Sequence, residues 1–285
     1  MTLRNILVPI FPNVDFDGQL AAALNIARQV EAHINAVFIR PDPAATLALI
    51  PELATTPGFT LETIDQEGKA IAATAEAAFV KWRTRHELAS GIVDRSLRTP
   101  YACWSERIGA IEPILVRRGR LSDVIILNLP DPANVATESA FDAAVFESGR
   151  PTILVPKKVP DNLLRHVLIA WNGSLEATRA IAGAMTLLHE AEKVSVFATA
   201  GEADDAAADL DLSDFLTWHG IRAEYSEPQP GRDAVGPALL AMAKERGATM
   251  LVMGAYTHSR VRQMLLGGVT RHVLRHAEMP VLMMH

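Results

Sequence analysis

The sequence predicts an α/β protein built from two tandem doubly wound domains. Each is a five-stranded parallel sheet of order 3-2-1-4-5 flanked by helices. Three observations predict it. The apolar runs are short and continuous, as in strands buried on both faces of a parallel sheet. They alternate with Ala-rich stretches of helical spacing, which gives βαβ units with right-handed crossovers. And the whole plan occurs twice along 285 residues, a repeat far longer than solenoid periods.

The elements follow in order. "RNILVPI" (4–10) returns as "RHVLIAW" (165–171), and each opens a half. The helices "DGQLAAALNIARQVEA" and "SLEATRAIAGAMTLLHEA" come next, followed by "HINAVFIR" and "KVSVFATA" as second strands. "SDVIILNLP" (122–130) matches "ATMLVMGAY" (248–256), and "GRPTILVP" (149–156) matches "EMPVLMMH" (278–285). Strands are thus expected near 4–10, 33–40, 101–106, 123–128 and 152–156, and again near 166–171, 193–199, 222–227, 249–254 and 280–284. Residues 61–90 read as one long amphipathic helix. The shorter "DLDLSDFLTWHG" is its counterpart, with Gly220 as the residue that stops it. The polar "KKVPDN" (157–162) reads as the linker, so the domains are expected at 1–158 and 163–285.

Bulk composition excludes some functions. A net charge of −6 argues against broad binding to nucleic acid or anionic membrane. The single Cys103 permits no internal disulfide, fits a reducing cytoplasm, and reads as a buried filler in "YACWSE". The start of the chain lacks a signal-peptide pattern, and no apolar run is long enough to span a bilayer. A cytoplasmic chain is expected.

In such a sheet, ligands sit beyond the carboxyl ends of the strands where strand order reverses. In the second half those ends supply "WNGS" (171–174) and "GAYTHSRVRQMLLGGVT" (254–270). Gly254 and Gly267 lack Cβ, so backbone N–H groups can come close to a ligand. Gly268 and Val269 lead into a helix near Thr270, whose free N–H groups and dipole favour an anion. Thr270 adds a hydroxyl. Between His258 and His276 lie four Arg (Arg260, Arg262, Arg271, Arg275), three His and no acid. The bland alternatives are glycines serving only packing and arginines forming only a solvated face.

Other constellations carry less. His272 and His276 have an i,i+4 spacing that can hold a metal, yet Arg271 and Arg275 would repel a cation, so no metal site is expected. "NGS" is a sequon by pattern, but Ser174 is more simply a helix N-cap. Acids such as Asp123, Asp204 and Asp205 lie in polar stretches read as solvated. No pair of titratable groups supports an acid–base assignment, so no catalytic residue is expected.

The stretches "VMGAYTHSRVRQMLLGGVTRHVLRHAEMPVLMM", "ILVPI" and "VLIAWNGSLEATRAI" resemble the universal stress protein family in its tandem two-domain form. The resemblance implies an adenine nucleotide alpha hydrolase-like fold and a role in stress regulation. It implies ATP with magnesium, or another phosphate-containing molecule, as the ligand. The ATP-binding branch has Gly, two residues, Gly, nine residues, Gly, then Ser or Thr. Those positions fall here on Gly254, Thr257, Gly267 and Gly268. Thr257 and Gly268 depart from that pattern, and Asn172 stands where nucleotide-binding members have Asp. Asn172 is expected toward the sugar, with Gly254, Thr257, Gly267, Gly268, Val269 and Thr270 toward the phosphates and Arg260 and Arg262 nearby.

The first half departs further. No glycine lies between Asn128 and Ser148, Pro130 and Pro132 remove N–H donors, and Phe11 stands where an Asp would sit. The resemblance thus implies a first domain without ATP. It also implies that the edge strands 152–156 and 280–284 pair the two domains about a pseudo-two-fold, as the family pairs subunits. A homodimer of the whole chain stays open. So do two other functions: slow ATP hydrolysis at the same site, and a structural or protein-binding module.

Overall fold

The computed structural model describes residues 2–49, 58, 60–90, 100–198, 206–226, 235–255 and 268–285. Its first half runs β1 (Asn5–Ile10), α1 (Asp17–Val30), β2 (His33–Arg40), α2 (Pro43–Leu49), α3 (Leu61–Arg85), β3 (Ala102–Ile108), α4 (Ile111–Gly119), β4 (Val124–Asn128), α5 (Val135–Asp142) and β5 (Thr152–Val155). A π-helical turn, Ala143–Glu147, continues α5. The second half runs β6 (Val167–Trp171), α6 (Leu175–Glu190), β7 (Val194–Ala198), α7 (Ala206–Trp218), β8 (Ala223–Ser226), α8 (Val235–Glu245), β9 (Met250–Gly254), α9 (Val269–His276) and β10 (Val281–Met284).

The ten strands among the described residues share one sheet, in the order β3-β2-β1-β4-β5-β10-β9-β6-β7-β8. Each half therefore has the order 3-2-1-4-5, with parallel neighbours throughout. Among the described residues the one antiparallel contact is β5 with β10, with Val281 opposite Leu154, Leu282 opposite Ile153 and Met283 opposite Thr152. Strand residues alternate between two apolar cores. Ile6, Val8, Ile153, Val167, Val252 and Leu282 bury on one face, and Leu7, Ile125, Leu154, Leu168, Leu251 and Met283 on the other. Both cores run unbroken across the β5–β10 seam.

Helices reinforce the seam. Gly183 of α6 lies so near Pro151 that an added Cβ would stand 2.8 Å from its Cγ and 3.3 Å from Met284 Sδ. The 157–162 segment is held to α1, where Asn25 Oδ1 accepts from Leu163 N at 3.1 Å and its amide donates to the Asp161 carbonyl. Leu163 and Leu164 then enter the core.

Three expectations need correction. The helix begun at Leu61 ends at Arg85, not near residue 90, because Glu87 turns left-handed (φ 57°). Ala89 then bridges to Tyr101. Cys103 is half-buried on β3, not sealed in the core. Asp123 is not a solvated acid: its Oδ2 accepts from Arg4 N and Asn5 N at 2.8 and 2.9 Å and anchors the start of β1. Gly220 does stop α7. With φ +73°, its N–H reaches the Thr217 carbonyl at 2.9 Å, and Ile221 N–H reaches that of Leu216 at 2.8 Å, the paired bonds of a Schellman end.

Candidate functional site

The strand order reverses twice, at β1/β4 and at β6/β9, so each half has one crevice at its carboxyl edge. The second crevice is built from the ends of β6 and β9 and the start of α9. At the end of β6, Gly173 is left-handed (φ 71°). Asn172 Oδ1 accepts from Ser174 N at 3.2 Å, and Ser174 Oγ accepts from Ala177 N at 3.1 Å. Asn172 therefore shapes the turn, and Ser174 caps α6 as its residue type predicts.

Gly254 closes β9 for a packing reason. A Cβ there would lie 2.6 Å from Ala177 N and 2.8 Å from the Glu176 carbonyl carbon. The space its missing side chain leaves is filled by the first turn of α6. The glycine thus lets a capped helix start press onto the strand end, and it brings the Asn172 turn beside β9. Ala255 follows, fully buried. Its N–H donates to the Met284 carbonyl at 2.9 Å, and its own carbonyl accepts from His285 Nδ1 at 2.9 Å. The His285 ring meets Phe146, from the π-helical turn of the first half, edge-on at 5.0 Å. The residue leaving β9 is thus tied to the other half of the molecule.

Thr257, Arg260, Arg262 and Gly267 lie outside the described residues. Beyond them Gly268 is the N-cap of α9, in extended conformation and without a side-chain cap. The cap residue therefore supplies no side-chain oxygen to the positive end of the helix dipole. Val269 is half-buried, and Thr270 is buried at 6% exposure rather than open at the helix start. Gly254, Asn172, Gly268, Val269 and Thr270 all fall at this carboxyl edge.

The histidines of α9 form a packed pair. Their rings stack at 4.3 Å, and His276 Nδ1 lies 2.9 Å from the His272 carbonyl. His272 also presses on Gly236 of α8, whose added Cβ would stand 3.0 Å from its own. Burial, then the charge of His276, lowers the His272 pKa below the usual histidine value.

The first crevice has the same frame and a different filling. Phe11, where the second half has Asn172, is buried at 4% exposure. Asn128 ends β4 and donates to the Asp15 carbonyl at 2.6 Å, lacing the two loops together. Buried Gln19 donates to the carbonyls of Pro9 and Ile126 at 2.9 and 3.0 Å. The amides after β4 are already engaged: Asp131 N with Thr137 Oγ1 at 3.0 Å, Ala133 N with Asp131 Oδ1 at 2.9 Å, and Ala136 N with Asn134 Oδ1 at 3.1 Å. Asn134 caps α5 with its own oxygen. An anion here would have to displace these acceptors.

Two polar clusters escaped sequence reasoning because they are nonlocal. Arg40, at the end of β2 with 4% of its side chain exposed, pairs with Asp65 at 3.0 Å and Glu106 at 2.5 Å. The Glu106 hydrogen bond foremost raises its pKa, and Gly68 gives the guanidinium room, an added Cβ there lying 3.3 Å from Nη1. Only the i,i+4 spacing of Asp65 and Lys69 hinted at it. At the amino edge, buried His166 places Nε2 2.8 Å from Ser195 Oγ and Nδ1 3.0 Å from the Arg246 carbonyl. A carbonyl on Nδ1 requires the proton there, so Nε2 accepts from the hydroxyl. Burial lowers the His166 pKa, and fully buried Ser195 offers no route for a substrate. The pair satisfies buried polar groups.

Among the described residues no helix is long and apolar enough to cross a membrane, and no group of three metal-binding side chains occurs.

Residues 231–285 match the family model of the universal stress protein family. No curated protein matches. A universal stress protein from Archaeoglobus fulgidus DSM 4304 shares the fold with a TM-score of 0.70 at 17% identity, over 98% of this chain and 95% of that one. A provisionally assigned universal stress protein from Pseudomonas aeruginosa UCBPP-PA14 aligns at TM-score 0.53 and 16% identity, over 99% of this chain and 93% of that one. The C-terminal residues 231–285 thus resemble the universal stress protein family, the fold along both halves is that of a solved universal stress protein, and the ten described strands fit a tandem form.

Proposed function

We propose that this is a stress-response regulatory protein of the cytoplasm whose second domain, residues 163–285, holds a phosphate-containing ligand, with ATP as the leading candidate. The first domain, residues 1–158, has given up that role and serves as a support. One observation carries the proposal. The helix start beside the second crevice is capped by a bare glycine, Gly268, while its first-half counterpart is capped by Asn134 and preceded by amides bonded to Asp131 and Thr137. A helix N-terminus whose cap residue supplies no side-chain acceptor favours an anion. Gly268 and Val269 would meet the phosphates through their backbone. Asn172 would lie toward the sugar, with Thr257, Arg260, Arg262 and Gly267 contributing from the stretch between. Gly254 and Thr270 act from behind, one admitting α6 and the other buried in the first turn of α9. Magnesium would accompany a triphosphate, held chiefly by its phosphate oxygens because Asn172 carries no charge. The antiparallel β5–β10 contact is read as a pseudo-two-fold joint between the domains.

The test is melting temperature against ATP with Mg²⁺ at millimolar concentration, with Gly268→Asp beside the parent chain. A ligand bound only to the native state must raise the midpoint. The parent should respond, and the aspartate, an acceptor and a negative charge at the anion position, should abolish the response. An unchanged midpoint in the parent refutes nucleotide binding.

A further inference from the structure

At the outer edge of the first half, the two faces of the sheet treat arginine differently. On the α3 face, Arg40 is neutralised by two carboxylates, Asp65 and Glu106. On the opposite face, Arg107 and Arg118 under α4, and exposed Arg117 beside Arg118 on α4 itself, form no ion pair among the described residues. The register of β2 with β3 explains their meeting. Asn35 lies opposite Cys103, Val37 opposite Ser105 and Ile39 opposite Arg107, and paired residues point to the same face. Val37 and Ile39 bury against Ile114 and Leu115 of α4, so Ser105 and Arg107 stand on α4's side. From the last turn of α4, half-buried Arg118 reaches back, and its Nη2 lies 3.4 Å from Asn35 Oδ1.

Three features point to a missing anion. Arg118 is lowered in pKa by burial and then by the neighbouring charges of Arg107 and Arg117, so cations crowd one another in an acidic chain. The Ser105 hydroxyl on the same face is buried and has no hydrogen-bond partner, which is costly unless something else engages it. And a desolvated arginine is ordinarily paired. One donor of each arginine is engaged by a neutral oxygen, Arg107 Nη1 by the Glu106 carbonyl at 2.6 Å and Arg118 Nη2 by Asn35 Oδ1. Neither fork meets a carboxylate among the described residues, and two forks beside a hydroxyl are the arrangement that recognises a tetrahedral oxyanion.

We propose that Arg107, Arg118 and Ser105, with Arg117 at the rim, form an oxyanion site on the α4 face of the first half. Its ligand is phosphate, free or as a phosphomonoester. The site is separate from the crevice at the carboxyl edge and does not depend on nucleotide binding in the second half.

The experiment titrates the full chain with inorganic phosphate against chloride at constant ionic strength, reading melting temperature and ³¹P line width. Parent, Arg118→Met, Ser105→Ala and Gly268→Asp are compared. The parent should melt about 2–4 °C higher in saturating phosphate, a shift typical of modest ligand stabilisation in a chain of this size. Arg118→Met should lose that shift and the line broadening, Ser105→Ala should reduce both, and Gly268→Asp should keep them. Should Arg118→Met fail to fold, Arg107→Gln must show the same loss. Phosphoserine binding more tightly than inorganic phosphate identifies the ester, and the reverse identifies the free ion. A parent without response, or a response equal in Arg118→Met and Arg107→Gln, overturns the site.

Discussion

The two crevices share one frame and differ in what fills them. In the second half, a strand ends in glycine, a capped helix start presses onto it, and the neighbouring helix is capped by glycine alone. In the first half, the same strand ends in Asn128, Phe11 is buried where the second half has Asn172, and Asp131 and Asn134 take up loop amides. The comparison teaches that a fold can keep its strand order while changing the acceptors available to its helix ends. A few side chains decide whether a helix start carries a side-chain cap.

The largest predicted effect breaks the comparison at the strand ends. Gly254→Asn, which copies the first-half residue, should destabilise the chain by about 2–3 kcal/mol or more, because its Cβ meets backbone rather than a movable side chain. Asn128→Gly, the reciprocal change, should cost only about 1 kcal/mol, the loss of one hydrogen bond. Denaturant midpoints would check both. Equal losses would show that the two strand ends are packed alike.

Next comes Arg40→Met, which should cost about 2 kcal/mol. Removing one member of a fully buried pair costs about 3–5 kcal/mol, but here the carboxylates are about a third exposed and water compensates in part. Adding Glu106→Gln should recover some of that loss, which a double-mutant cycle would measure.

Acid should weaken the whole molecule moderately. His33, His166 and His272 all have lowered pKa values, with burial the first cause in each. Below the ordinary histidine value of about 6.5 the unfolded chain takes up protons that the native chain refuses. Stability is therefore full above that value and declines as pH falls through it toward the folded values. Urea midpoints between neutral pH and about pH 5 should show this slope, and His166→Gln should flatten it. A slope of the opposite sign would refute the assignment.

The smallest effect concerns the tie between the halves. Phe146→Ala should speed amide exchange at Ala255, through the lost support of His285, while leaving β7 unchanged. Identical exchange at both would remove that tie.

Much of the fold was legible because the strands are continuous apolar runs. All ten fall within two residues of their expected bounds. The end of α3 was not legible, since "HELAS" has helical composition and its stop is a left-handed glutamate rather than a glycine. At the site, Phe11, Pro130 and Pro132 disclosed a changed first crevice, and Ser174 disclosed its own role. Gly254 misled: glycine beside a ligand and glycine beneath a helix look the same in sequence, and only the packing of α6 separates them. The Arg40 cluster and the arginines under α4 depend on strand register, which no local pattern carries.

The most direct test counts bound nucleotide per chain by native mass spectrometry of the intact protein in ATP and Mg²⁺, with hydrogen exchange locating it. One nucleotide per chain, protecting the start of α9 and lost in Gly268→Asp, is the predicted result. Two per chain, or protection at the start of α5, would contradict the proposed division between the halves.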